Sequence, residues 1–98
     1  MPKPIKNKLL IVDDDLISTK HLVGIFRDDY ELTVATSGHE GYAATTPKQD
    51  MFLLDLHLPD MSGFDFLRKI KAKTELAPIP AIYITSNRMS KRKKPESV

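Results

Sequence analysis

The pattern of hydrophobic and polar positions along this chain predicts four short strands separated by three helices. Apolar or alternating runs of strand length occupy residues 8–12, 31–35, 51–54 and 81–85. The first and third runs are almost wholly apolar, which is typical of strands buried on both faces. Apolar residues recur near helical spacing between these runs, and this spacing predicts helices over residues 16–27, from Ser37 to about 45, and 64–73.

Regular alternation of strand and helix predicts the α/β class. Right-handed crossover connections place the strands parallel in one sheet, and the connecting helices cover both of its faces. We therefore expect a doubly wound parallel sheet with the strand order 2-1-3-4, in which the first and third strands are neighbours. Ser37 and Glu40 have the spacing of a capping box, in which each side chain binds a backbone amide at the start of the second helix.

Acidic residues follow two of the predicted strands directly. The stretch LLIVDDD delivers Asp13, Asp14 and Asp15, and the third strand ends on Asp55. Two unit charges about 4 Å apart repel by roughly 4 kcal/mol at an effective dielectric near 20, so a cation is expected between them. Carboxylates without cysteine or a histidine pair form a hard oxygen site, which favours Mg²⁺, or Mn²⁺, over Zn²⁺.

The same aspartates also have simpler interpretations as helix caps or turn residues. Capping is the favoured role for Asp15, which directly precedes the first predicted helix. Three unrelated caps at adjacent strand ends would be needed to explain Asp13, Asp14 and Asp55 together, so for these we favour the metal site. Thr85, at the end of the fourth strand, could hydrogen-bond a phosphoryl oxygen held there.

Other polar residues near these positions have ordinary surface interpretations. His57 is expected to be an exposed loop residue that offers its backbone carbonyl, not its ring. His21 and His39 are expected on exposed helical positions, while Asp60 and Asp65 are interpreted as a turn residue and a first-turn helix residue.

Composition limits the alternatives to a small globular domain. The chain has 98 residues and no cysteine, which excludes disulfides and thiolate metal sites. It has no apolar run of membrane-span or signal-peptide length, so a cytoplasmic location without membrane contact is expected. The net charge is +2, but residues 88–98 carry +4, so residues 1–87 carry −2. The basic run at 91–94 is interpreted as solvated charge, and no direct nucleic-acid binding is expected.

Three stretches in this order resemble the receiver domain of two-component response regulators: LLIVDDD, FLLDLHLPDMSGFDFL and PAIYITSN. The resemblance covers residues 8 to about 90 and implies a flavodoxin-like fold. It implies that Asp55 accepts a phosphoryl group from a histidine kinase or a histidine phosphotransfer protein. It also implies that Mg²⁺ is held by Asp13, Asp14, Asp55 and the His57 carbonyl, with Thr85 bonded to the phosphoryl group.

The chain departs from that family near its end. A fifth strand bearing a lysine, and a fifth helix, should follow, but Lys91 to Lys94 come too soon to supply that lysine. We therefore expect a flexible arm at 1–7, a truncated receiver domain at 8–90 that lacks the fifth strand and fifth helix, and a basic tail at 91–98. The exposed fourth strand should then favour a homodimer or a swapped assembly.

Three functions follow from these residues. The first is a phosphoacceptor signalling domain, which is not an enzyme beyond catalysing its own phosphorylation and dephosphorylation. The second is a receiver-like binding or dimerisation module uncoupled from phosphorylation. The third is a haloacid-dehalogenase-like phosphatase with Asp13 and Asp15 as its nucleophile pair. The third is disfavoured because it does not explain Pro59 and Gly63 after Asp55.

Overall fold

Four parallel strands and three helices form one sheet covered on both faces. The computed structural model describes residues 6–84. Within them the elements follow one another as β1 (Asn7–Val12), α1 (Leu16–Phe26), β2 (Tyr30–Ala35), α2 (Gly38–Ala44), β3 (Met51–Asp55), α3 (Gly63–Lys71) and β4 (Ala81–Ile84). The strand order is β2-β1-β3-β4, and all three pairings are parallel. The predicted fold class and strand order are confirmed.

The two faces of the sheet carry separate hydrophobic clusters, because successive side chains of a strand point to opposite faces. Leu9, Ile11 and Leu53 are buried on the face covered by α1, against its half-buried residues Leu22 and Val23. The other face is covered by α2 and α3 and holds the larger cluster, with the buried members Leu10, Val12, Ala35, Phe52, Leu54, Leu58, Phe66, Ile70, Leu76 and Ile79.

The helices begin within one residue of the predicted positions, and each has a side-chain cap. Asp15, Ser37 and Ser62 accept hydrogen bonds from the amides three residues on, which starts α1, α2 and α3. The predicted capping box of α2 is half right. Glu40 reaches back beyond Ser37 and accepts from the amide and hydroxyl of Thr36, at 2.6 and 2.8 Å.

Some element limits differ from the sequence-based expectation. The third helix ends at Lys71, two residues before the predicted limit, and β4 is described to Ile84, so Thr85 lies outside the described residues. Leu16, an apolar residue at the start of the predicted helix 16–27, is 69% exposed. It is the first residue of the helix, and Thr19 takes the buried position one turn later.

No helix in the described part of the chain has both the length and the apolar character that a bilayer span requires.

Candidate functional site

Three carboxylates meet at the carboxyl edge of the sheet. Val12 and Leu54 are register partners on the neighbouring strands β1 and β3, so the residues that follow them, Asp13 and Asp55, lie side by side. One carboxylate oxygen from each of Asp13, Asp14 and Asp55 lies within 4.8 Å of the others. We call these three residues the acidic cluster. The sequence predicted this grouping from strand order alone, and the structure brings the three side chains together.

The acidic cluster combines burial with access to solvent. Asp13 is fully buried and Asp55 is 3% exposed, whereas Asp14 is exposed. Burial of two neighbouring carboxylates opposes their ionisation, and a bound cation offsets that cost. The exposed Asp14 keeps one side of the cluster open to an incoming ion.

Backbone amides fix the orientation of both buried carboxylates. The Asp15 amide donates to Oδ1 of Asp13 at 2.9 Å, and the His57 amide donates to Oδ1 of Asp55 at 3.2 Å. The Asp13 amide also donates to the carbonyl of Ala35 at 3.0 Å, which ties the end of β1 to β2. The rigid strand ends therefore hold both carboxylates in defined directions.

Asp15 has a role different from that of its two acidic neighbours. Its Oδ2 accepts from the Ser18 amide at 3.1 Å, and this bond caps α1. The prediction that Asp15 is a helix cap is confirmed.

The loop after Asp55 is folded tightly against the strand end. Leu58 donates its amide to the Met61 carbonyl at 3.1 Å, and Gly63 donates to the Leu56 carbonyl at 2.8 Å. A Cβ at position 63 would lie 2.5 Å from the backbone oxygen of Asp55. Only glycine therefore allows α3 to start this close to the site. His57 is exposed, as expected of a loop residue.

Asp60 has a contact that local sequence reasoning missed. It was interpreted as a turn residue, and it does lie in the loop. Its carboxylate also accepts from the amides of Gly38 and His39, at 2.8 and 2.9 Å, and contacts Nδ1 of the His39 ring. No local pattern indicates this contact, because its partners are more than 20 residues away in the sequence.

These contacts determine the acidity of Asp60. Partial burial is the largest single effect and raises its pKa, but the hydrogen bonds from Gly38 and His39 together outweigh it and lower the pKa to about 2. A carboxylate that accepts several amide hydrogen bonds is stabilised in its charged form.

Acid is expected to remove the stabilising contribution of Asp60. Its folded pKa lies below its ordinary value of 3.8, so this contribution is complete above about pH 4 and is lost as the pH falls toward 2. Urea unfolding at several pH values should show Asp60→Asn to be less stable than wild type at pH 7, by a margin that shrinks in that window. An Asp60→Asn margin that is constant from pH 7 to 2 would contradict the prediction.

The acidic cluster has the donor chemistry of a site for a hard divalent cation. It offers only carboxylate oxygens, two of them from residues held by the ends of strands. Such ligands suit Mg²⁺ and Mn²⁺ and are poor ligands for softer metals. Thr85, which was expected beside this site, lies outside the described residues.

Comparison with known proteins identifies the family. The sequence profile of the response regulator receiver domain matches residues 9–95. This match covers most of the chain, so the protein belongs to the receiver domain family of two-component signalling. Receiver domains are regulatory, interact with histidine kinases or phosphotransfer proteins, and generally bind Mg²⁺ through acidic residues.

Individual relatives agree with this family. The two-component response regulator ORR5 of Oryza sativa subsp. japonica is 29% identical over 87 residues, which is 86% of this chain and 65% of that protein. A protein-glutamate methylesterase/protein-glutamine glutaminase of Bradyrhizobium diazoefficiens is 37% identical over 90 residues, which is 88% of this chain and 24% of that protein. The chain therefore spans less than two thirds of the length of either relative.

A solved structure supports the same fold. The non-phosphorylated HemR receiver domain of Leptospira biflexa superposes with a TM-score of 0.74 at 27% identity, over 92% of this chain and 75% of that one.

Proposed function

We propose that this domain accepts a phosphoryl group on Asp55 from a histidine kinase or a histidine phosphotransfer protein, in a reaction that depends on Mg²⁺. The observation that carries the proposal is the acidic cluster, in which the buried Asp55 lies beside the buried Asp13 and the exposed Asp14. Family membership supports the same function.

Each residue of the site has a distinct proposed role. Asp13, Asp14, Asp55 and the backbone carbonyl of His57 would hold the metal. When bound, Mg²⁺ supplies charge neutralisation of the phosphoryl oxygens, which lowers the cost of bringing an anion to a carboxylate. Mn²⁺ could take the same place. Thr85, at the end of the fourth strand, would donate its hydroxyl proton to a phosphoryl oxygen.

The protein's own contribution to the transfer is positioning. A carboxylate oxygen of Asp55 attacks phosphorus while the bond from phosphorus to the donor's imidazole nitrogen breaks, and the imidazole leaves with that electron pair. The His57 amide, 3.2 Å from Oδ1, fixes the plane of the Asp55 carboxylate for this in-line attack. The domain is thus regulatory, and catalysis is limited to its own phosphorylation and dephosphorylation.

An apolar surface beside the site supports a protein as the phosphodonor. Leu16 and Ile17 are 69% and 78% exposed at the start of α1, directly after the aspartates. Exposed apolar side chains next to a charged site are typical of docking surfaces. A partner that covers these residues would also exclude water from the reaction.

Replacement of Asp55 by asparagine is expected to abolish phosphorylation. With acetyl phosphate and Mg²⁺, intact-protein mass spectrometry should show one added phosphoryl group on wild type and none on Asp55→Asn, because the amide is not a nucleophile. Asp13→Asn should react more slowly, since it weakens the metal site. Asp28→Asn, which lies beside the opposite edge of the sheet, is the matched control and should react as wild type does.

The outcomes of this experiment separate the candidate functions. An unlabelled wild type under these conditions would contradict the proposal and favour a binding module uncoupled from phosphorylation. Labelling that survives in Asp55→Asn but is lost in Asp13→Asn would place the nucleophile elsewhere. Turnover of a phosphate ester that depends on Asp13 would favour the phosphatase.

We further infer that the domain self-associates through the β4 side of the sheet. Within the described residues β4 pairs only with β3, and Ile82 is 49% exposed. An apolar strand with an open edge pairs readily with a second chain. Sedimentation velocity should show a concentration-dependent dimer that Ile82→Lys weakens. Ile25→Lys, at an exposed position on α1, should leave it unchanged, and a monomer at all concentrations would contradict the inference.

A further inference from the structure

A set of hydrogen bonds joins α2 to the loop after Asp55, and the function proposed above assigns no role to these contacts. The Asp60 carboxylate binds the amides of Gly38 and His39, at 2.8 and 2.9 Å, and the Nδ1 atom of the His39 ring. We call this set of three contacts the Asp60 clamp. The Asp60 side chain is only 23% exposed, although it lies at the tip of a loop.

The Asp60 clamp is reinforced by close packing at the same point. A Cβ at position 38 would lie 2.5 Å from Sδ of Met61, so the start of α2 lies against the residue that follows Asp60. Gly38 is itself buried. The tip of the loop is therefore pressed against the first turn of α2 as well as hydrogen-bonded to it.

The loop that joins the Asp60 clamp to Asp55 is constrained by several backbone contacts. Between them the loop is closed by the bridge of His57 with Ser62 and by the hydrogen bond from the Leu58 amide to the Met61 carbonyl. At the base of the loop, the Gly63 amide donates a hydrogen bond to the Leu56 carbonyl at 2.8 Å. A displacement at the tip must therefore move the residues near the base, and His57 is one of them.

We propose that Asp60 and His39 are positioning residues that set the metal affinity of the Asp55 site. This inference rests on the proposed function, because the proposed function assigns the His57 carbonyl to the metal and the His57 amide to Asp55. By holding the loop tip against α2, the Asp60 clamp keeps the His57 carbonyl and amide where they serve that site. In this proposal Asp60 and His39 act through the position of His57, not through direct contact with the metal or the phosphoryl group.

The test is a Mg²⁺ titration of the ¹⁵N-labelled domain, followed by NMR. Asp60→Ala should raise the Mg²⁺ dissociation constant by about tenfold, the size of effect typical of residues that support metal ligands. Asp60→Asn retains one acceptor oxygen and should give a smaller rise. With acetyl phosphate, the phosphorylation rate of Asp60→Ala should fall at low Mg²⁺ and recover at saturating Mg²⁺.

A matched control separates positioning from general loss of stability. Ser37→Ala removes the side-chain cap of the same helix but leaves the Asp60 clamp in place. It should lower the melting temperature, as Asp60→Ala does, without changing the Mg²⁺ dissociation constant. His39→Ala should raise that constant in wild type and change it little in the Asp60→Ala background, because both residues act through one contact.

The outcomes distinguish this inference from the proposed function. If wild type binds Mg²⁺ but is not phosphorylated, the proposed function fails, and the Mg²⁺ dissociation constants of the variants still decide the role of Asp60. If wild type is phosphorylated and Asp60→Ala binds Mg²⁺ as wild type does, the positioning role alone is overturned. An equal rise in Ser37→Ala would also overturn it, and a wild type that binds no Mg²⁺ overturns both.

Discussion

Gly63→Ala is expected to destabilise the domain by about 3 kcal/mol, the upper end of the range for overpacking a buried position. The added Cβ would lie 2.5 Å from the Asp55 carbonyl oxygen and 3.1 Å from Cα of Leu56. Both neighbours are backbone atoms at the end of a buried strand, so neither can move without shifting the strand or α3. Chemical unfolding followed by circular dichroism measures the loss directly.

Gly24→Ala is the matched control for this substitution. Gly24 lies within α1, and a Cβ there would meet nothing within 4 Å. Alanine should therefore stabilise α1 by about 0.5–1 kcal/mol through its higher helix propensity. A Gly63→Ala protein as stable as wild type would contradict the close approach of α3 to the strand end. Gly63→Ala should also slow phosphorylation by acetyl phosphate, since Asp55 itself must shift.

Phe66→Ala is expected to cost about 3–5 kcal/mol, the usual range for removing a large aromatic residue from a core. Phe66 is fully buried and packs edge-on against Phe52 with 5.9 Å between ring centroids. A domain of this size has a total free energy of unfolding of about 5–15 kcal/mol. The substitution removes a large share of it, so the melting temperature of the variant should fall sharply. Thermal unfolding followed by circular dichroism checks this expectation.

Phe64→Ala provides the comparison within the same helix. Phe64 is 55% exposed, and its ring contacts that of Tyr83 at a tilted angle, with 4.9 Å between the ring centroids. Loss of an exposed aromatic pair costs about 0.5–1.5 kcal/mol. Similar losses for Phe64→Ala and Phe66→Ala would contradict the assignment of the buried face of α3.

The fold and the acidic cluster could be predicted because both depend on regular features of the sequence. Apolar runs of strand length fix the four strands, and alternation with helices fixes parallel pairing. The order 2-1-3-4 then places Asp13 beside Asp55 without any knowledge of side-chain contacts. The role of Asp15 could be distinguished from those of Asp13 and Asp14, because a helix cap depends only on the next three residues.

Contacts between distant segments could not be predicted in this way. Asp60 binds residues more than 20 positions earlier, and only the packing of the loop on α2 brings them together. Glu40 reaches Thr36 and not Ser37, a difference of one residue that depends on how the chain enters the helix. The exposure of Leu16 depends on how α1 packs on the sheet. Each of these details is set by tertiary geometry.

The register between β1 and β3 has a consequence for folding. Asp13 and Asp55 are neighbours only because Val12 pairs with Leu54 and each aspartate is the next residue along its strand. A slip of one residue would turn the apolar side chains of the slipped strand to the wrong face and separate the two carboxylates. A divalent cation that needs both carboxylates would then bind only correctly aligned chains. Metal uptake during refolding would thus report when these two central strands have reached their native alignment, and the ion would stabilise that alignment by mass action.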